Sequence, residues 1–354
     1  MRWPRVELGT PAGPREAIAP AVITASRATD IPAFHSAWLL NRLSAGWCRW
    51  DNPFGGPPQY VSFARLRALV LFTKDPDAVL GLADELERRG LAFYVHATLN
   101  DYAAEGWEPG VPALESRLRG FAELSRRLGR ERVIWRFDPL VRGEATPLSV
   151  LLARMEALGE RLHPFTDRLV FSFAHLERYA KVRRNLAAAG ARARSFTPAE
   201  MSEAASRLAG LGRKWGLCVA SCGEEMDFSA CGVSRNRCVD PELLLRLTHG
   251  DAELAALYRP RGPKQAALPM EPAAHAGRGA GSDAGQGEPA ARFPRDPGQR
   301  KACGCAPAKD IGAYTTCGHG CVYCYANISP EAGRRNASRK DAAGEALGRR
   351  SART

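Results

Sequence analysis

The chain has 354 residues, enough for one large α/β domain or two ordinary ones with ample core. Hydrophobic residues make up 45%, as in a globular protein, yet no run of about 18 apolar residues occurs, which excludes a membrane-spanning helix. The formal net charge of +12 invites a nucleic-acid partner, but residues 259–354 carry 16 Lys+Arg against 8 Asp+Glu while residues 1–258 carry 34 against 30. Most of the excess therefore sits in a compositionally biased region, and the nucleic-acid reading is only weakly supported.

The first residues, Met1–Leu8, lack the apolar stretch of a secretory signal, so a cytoplasmic location is the expectation. In a reducing compartment ten cysteines point to metal or redox chemistry more than to disulfides.

In chain order, short apolar runs that suit buried parallel strands fall at Ala21–Ala25, Ala68–Phe72, Ala92–Ala97, Arg132–Arg136, Arg168–Phe173 and Leu217–Ala220. Helical stretches with readable ends lie between them. Asp75-Pro76 opens one that Gly90 stops, Pro112–Leu128 ends at Gly129, and Thr146–Leu162 ends before Pro164. Thr197-Pro198-Ala199-Glu200 opens another, with Glu200 placed for a capping box. Six βα units without a glycine-rich phosphate loop predict an α/β fold of the partial (β/α)6-like TIM-barrel kind rather than a dinucleotide-binding fold.

A last helix is expected over Pro241–Tyr258, closing a barrel-like domain over 20–258. Residues 259–300, rich in Pro, Gly and Ala, read as a disordered linker. Residues 301–327 form a cysteine-rich segment expected to fold back and complete the same domain. Residues 328–354 read as a disordered basic tail.

In a barrel the reactive face lies at the C-terminal strand ends, where the loops converge. Here those ends offer Arg27 and Asp30, Lys74, Asn100, Arg136 and Asp138 as candidate catalytic residues. The strongest chemical signal is Cys317, Cys321 and Cys324 in a C-x3-C-x2-C spacing, with Tyr323 directly before the last cysteine. Three thiolates on one short loop can each hold one iron of a [4Fe-4S] cluster and leave the fourth iron open, whereas structural zinc more often uses C-x2-C pairs. Cys303 and Cys305 lie just upstream, and Cys222 and Cys238 lie at and after the last strand. Those four thiolates would suffice for a second cluster or a structural zinc. Cys48, Cys218 and Cys231 read as ordinary small apolar residues, and His319 as a loop histidine.

The runs Thr24–Phe34, Phe72–Pro76, Val133–Pro139 and Cys303–Asn327 resemble the bacterial and archaeal DUF1848 family over roughly residues 20–327. That family implies no settled activity. The C-x3-C-x-Tyr-Cys element separately resembles the cluster loop of radical S-adenosylmethionine enzymes, which are also partial (β/α)6 barrels. That resemblance implies that Cys317, Cys321 and Cys324 ligate a cluster whose open iron chelates the cofactor's methionine moiety, and that Tyr323 approaches the adenine. Glu224, in Cys222-Gly223-Glu224, shares its last two residues with that family's Gly-Gly-Glu cofactor element. Because the cluster loop there follows the first strand, the C-terminal segment is expected to fold back over the barrel mouth in a circularly permuted arrangement. The resemblance also implies an electron donor such as ferredoxin or flavodoxin and an unidentified substrate. A non-radical iron–sulfur protein and a zinc-binding interaction module for nucleic acid or protein are the alternatives.

Overall fold

Between residues 22 and 235 the strands of the main sheet pair in sequence order in the computed structural model, which describes residues 3–53, 55–260, 293–339 and 341–348. The elements begin with β1 (Arg5–Thr10), β2 (Gly13–Ile18), β3 (Val22–Ala25), α1 (Ile31–Ala45), β4 (Trp47–Trp50), β5 (Gln59–Ser62), β6 (Ala68–Thr73) and α2 (Pro76–Arg88). They continue with β7 (Ala92–Thr98), α3 (Leu114–Leu128), β8 (Val133–Leu140), α4 (Leu148–Leu162), β9 (Arg168–Phe173), α5 (Ala180–Ala188), α6 (Pro198–Trp215) and β10 (Cys218–Ser221). The rest are β11 (Ser234–Arg235), α7 (Pro241–Leu247), α8 (Ala252–Leu257), β12 (Lys309–Asp310) and α9 (Pro330–Ser338).

The main sheet has eight strands, ordered β11-β10-β9-β8-β7-β6-β3-β12, and every neighbouring pair is parallel. The fold is therefore α/β with a parallel sheet, as expected. Alternation along the strands assigns the two faces. Ile23, Leu69, Leu71, Phe93, Trp135 and Phe171 join the core that also holds the buried faces of α1–α4 and α6. Val22, Val70, Tyr94, Ile134 and Val170 point the other way and pack with Val239, Leu243, Leu244, Tyr258 and Ala306. Helices α1–α4 and α6 thus cover one face, and the segment from Cys238 to Tyr258, which holds α7 and α8, fills the other together with residues 305–308. Burial on both sides explains why these strands read as continuous apolar runs.

A glycine permits the closest helix contact. Gly159 in α4 lies flat against the Trp215 indole at the end of α6, and a Cβ there would overlap the ring. Gly159→Ala gains helix propensity but overpacks this contact, so it is expected to cost about 1–3 kcal/mol, read as a lower urea midpoint at unchanged m.

Several expectations are corrected. The predicted helix over Pro241–Tyr258 is two helices, α7 and α8, because His249 and Gly250 both take positive φ (51° and 75°) and Asp251 recaps the chain by accepting from Glu253 and Leu254. The tail is not unstructured where it is described. Ser329 caps α9, and residues 341–348 pack along α1 and β4. Their backbone carbonyls accept from Trp38 Nε1 (Gly344, 2.9 Å) and from the Arg49 backbone N–H (Glu345, 2.8 Å). Of the predicted linker, 261–292 lies outside the described residues, whereas Asp296 donates its backbone N–H to Cys305 and Phe293 lies against Arg237. Asp75 occupies the N-cap of α2 but its side chain makes no cap bond. A four-stranded sheet, β1-β2-β5-β4, was not anticipated. Cys218 is exposed.

Candidate functional site

Both cysteine sets gather at the C-terminal ends of the parallel strands. The short strand β12 places the first of them. It pairs parallel with β3, so the loop that follows it leaves the sheet at the end where β3 delivers Arg27 and Asp30. Asp310 fixes this exit by accepting from Thr24 Oγ1 (2.8 Å) and the Arg27 backbone N–H (2.9 Å).

Asp30 then locks the loop onto the sheet and α1. Its Oδ1 accepts the Ala33 N–H and caps α1 (2.9 Å), while its Oδ2 accepts Thr73 Oγ1 (2.9 Å) and the Lys74 N–H (2.7 Å). The same oxygen lies 2.7 Å from His319 Nε2, whose other ring nitrogen faces the Gly110 carbonyl at 3.1 Å. His35 Nε2 donates to Thr316 O (3.0 Å). Gly318 packs against the Phe34 ring so closely that a Cβ would come within 2.5 Å of it.

The loop thiols receive backbone donors. Cys317 accepts from the N–H groups of His319 and Asp30, and Cys324 from those of Ala326 (3.3 Å) and Asn327 (3.4 Å). Burial, with the nearby Cys324 and Asp30 charges, pushes the Cys317 thiol up to about 12. Burial likewise pushes Cys321 well above the ordinary thiol range, although Lys74 opposes it. Thiols this buried ionise together only beside a strong positive charge, which a metal centre supplies.

Beneath the loop, Tyr323 is buried and tied down. Its hydroxyl donates to Glu108 and accepts from Lys74 Nζ and Asn100 Nδ2, each at 3.0 Å. Lys74 also donates to Glu108 (2.7 Å). Burial alone would raise Glu108, but Lys74 and Arg117 outweigh it and hold the carboxyl low. Its Oε2 is buried without a hydrogen-bond partner among the described residues.

The second cysteine set lies on the sheet face that carries Val22, Val70 and Tyr94. Cys222 and Cys238 bring their sulfurs to 3.4 Å, the Cys238 N–H donates to Cys305 Sγ (3.1 Å), and Cys303 is hydrogen-bonded to Cys305. Tyr94 Oη (2.7 Å) and His96 Nε2 (2.8 Å) both hold the Cys238 carbonyl. Arg136 Nη1 donates to Cys238 Sγ (3.2 Å) and pairs with Asp138, which also accepts from Ser172. Burial would lower Arg136, but the Cys238, Asp138 and Cys222 charges outweigh it and raise it. Arg27 behaves alike: burial opposes its charge, while Cys305, Asp310 and Cys238 raise it. Both terminal nitrogens of Arg27 are buried without a hydrogen-bond partner among the described residues. Also among the described residues, no three Cys, His, Asp or Glu side chains close around one point as a single-ion site does.

The predicted residues thus separate into two neighbourhoods. Asp30, Lys74, Asn100 and Tyr323 gather around Cys317, Cys321 and Cys324; Arg27, Arg136 and Asp138 gather around Cys222, Cys238, Cys303 and Cys305. Asn100 joins them, since it also accepts the Asp138 N–H (2.9 Å). Glu224 stands apart, accepting the Phe173 N–H (2.9 Å) and bonding His175 (2.7 Å). Sequence reasoning passed over Glu108, which sits in a Gly- and Pro-containing loop that reads as solvated. It also undervalued His319, whose glycine neighbours permit the close approach to Asp30. Cys48 is buried far from both sets in chain order, and burial pushes its thiol up to about 12.

Among the described residues no helix is long and apolar enough to cross a membrane. Comparison with curated proteins returns no match. A family profile for a domain of unknown function, DUF1848, matches residues 22–326, the span that includes every strand of the main sheet and both cysteine sets, and the chain belongs to that family.

Proposed function

We propose that the chain is a cytoplasmic iron–sulfur enzyme of the radical S-adenosylmethionine type, built on a partial (β/α) barrel, with Cys317, Cys321 and Cys324 as ligands of a [4Fe-4S] cluster. The observation that carries this reading is the place of β12. It lies at the sheet edge beside β3, so the C-x3-C-x2-C loop, last in sequence, follows the first strand of the sheet in space. Sequential parallel pairing from β3 to β11, with α1–α4 and α6 on one face, suits a partial barrel.

The donor set suits such a cluster: three thiols from one loop, backbone N–H groups directed at two of them, and the Lys74 cation near the third. When bound, the cluster supplies one-electron reductive cleavage of the cofactor's sulfonium, with the electron drawn from a ferredoxin- or flavodoxin-like donor. The protein's own residues do the positioning. Asp30 and His319 hold the loop against β3 and β6. Lys74, Asn100 and Glu108 fix Tyr323 beneath it, and the buried Oε2 of Glu108 offers an acceptor to a substrate or cofactor hydroxyl or amine.

Anaerobic purification followed by reaction with S-adenosylmethionine and dithionite tests the reading. A brown protein with a broad band at about 400 nm that releases 5′-deoxyadenosine is expected. A colourless zinc protein, or an iron protein that forms no 5′-deoxyadenosine with any candidate substrate, overturns it.

A further inference from the structure

We infer that Cys222, Cys238, Cys303 and Cys305 ligate a second iron–sulfur cluster, fully coordinated by the protein, which relays electrons to the C-x3-C-x2-C centre by way of Arg27 and Tyr325. The four thiols come from separate stretches of chain and meet on the sheet face that carries Val22, Val70 and Tyr94, with Cys222 linked to Cys238 and Cys238 to Cys305, two residues from Cys303. A set of four cysteine thiolates is the usual ligand complement of a four-iron cluster.

The surroundings call for an anion. Arg136 pairs with Asp138 and still directs Nη1 at Cys238 Sγ, at 3.2 Å. Asn236 Nδ2 donates to the same sulfur at 3.2 Å. Arg27 is the clearer case. Its nearest carboxylate oxygen, on Asp310, is 4.0 Å away, and both terminal nitrogens are buried without a hydrogen-bond partner among the described residues. A buried guanidinium beside neutral thiols is poorly compensated; beside four thiolates on a cluster, whose net charge is negative, it has its counter-charge. A single structural zinc does not match the arrangement, since no three of these thiols converge on one point among the described residues.

The relay follows from what touches both sets. The Arg27 guanidinium lies over the Phe72 ring, within electrostatic reach of Cys305 and Cys238, and the Arg27 carbonyl accepts a hydrogen bond from Tyr325 Oη (2.8 Å), the residue directly after Cys324. One electron enters the four-thiolate cluster from an external one-electron donor and leaves to the loop centre, with no proton transferred. The relay rests on the proposed loop cluster; the second metal site does not.

Two serine variants separate these claims. Cys317→Ser/Cys321→Ser/Cys324→Ser, purified anaerobically, is expected to keep about four of about eight irons and the visible band. Loss of all iron, or zinc in its place, overturns the second cluster even if the wild type forms 5′-deoxyadenosine. Conversely, retained iron supports it even if none forms. Cys222→Ser/Cys238→Ser/Cys303→Ser/Cys305→Ser is expected to keep a loop centre that dithionite reduces, while reduced flavodoxin does so at least about tenfold more slowly. An unchanged rate overturns the relay. Should that variant fail to fold, Arg27→Gln serves instead. Removing this positive charge disfavours the more negative reduced state, so the second cluster's potential is expected to fall, and an unmoved potential refutes the placement.

Discussion

Asp30→Ala is expected to lower folding stability by about 3–5 kcal/mol, the largest single effect anticipated outside the apolar core. One carboxylate here serves Ala33 and Thr73, the Lys74 backbone and His319, on three different parts of the chain. Removing it strands several buried donors at once, and each buried unsatisfied donor costs about 1–3 kcal/mol. Asp30→Asn keeps an acceptor oxygen and is expected to lose roughly half as much. Urea denaturation at constant m reads both values. A loss under about 1 kcal/mol for the alanine variant would show that the loop is anchored elsewhere, by Tyr323 or by β12.

The second large effect concerns the loop itself. Cys321→Ala leaves two thiols where the proposed centre needs three, so its EPR signal is expected to vanish and 5′-deoxyadenosine formation to fall by at least about three orders of magnitude. Cys48→Ala, in the helix-side core, is expected to leave iron content and product unchanged. Equal iron in both variants would mean that Cys321 is not a ligand.

Much of this architecture was legible because strand burial writes itself into composition. The expected runs at Arg168–Phe173 and Ala68–Phe72 coincide with or fall inside β9 and β6, since both faces of those strands are covered. The capping box at Thr197 and Glu200 was equally plain, because both halves of it are local. The hairpin β1–β2 was not, since β1 alternates between exposed and half-buried positions and β2 buries only Ala17, with little apolar contrast. β12 is two residues long, and its partner β3 lies about 286 residues away in sequence, so no local pattern could have announced it. The ordered tail was hidden for another reason. It docks chiefly through backbone carbonyls, which carry no residue code. For the site, cysteine spacing singled out the two cysteine groups, but Glu108 and the Asp30–His319 contact depend on how distant loops are folded over one another.

Because β12 and the residues after Cys303 come late in the chain, order of synthesis and order of assembly are coupled. A ribosome releases the strands from β3 to β10 and the helices of one face long before it releases the residues that cover the edge of β3 and complete either cysteine set. Until then the nascent chain presents an unpaired strand edge and a partly open apolar surface, a state prone to association with other chains. Formation of native long-range contacts is correspondingly deferred, which places the protein among slow folders. The sealing of that edge and the bringing together of all seven thiols therefore wait until translation has passed Cys324, and loading of the proposed clusters would come after it.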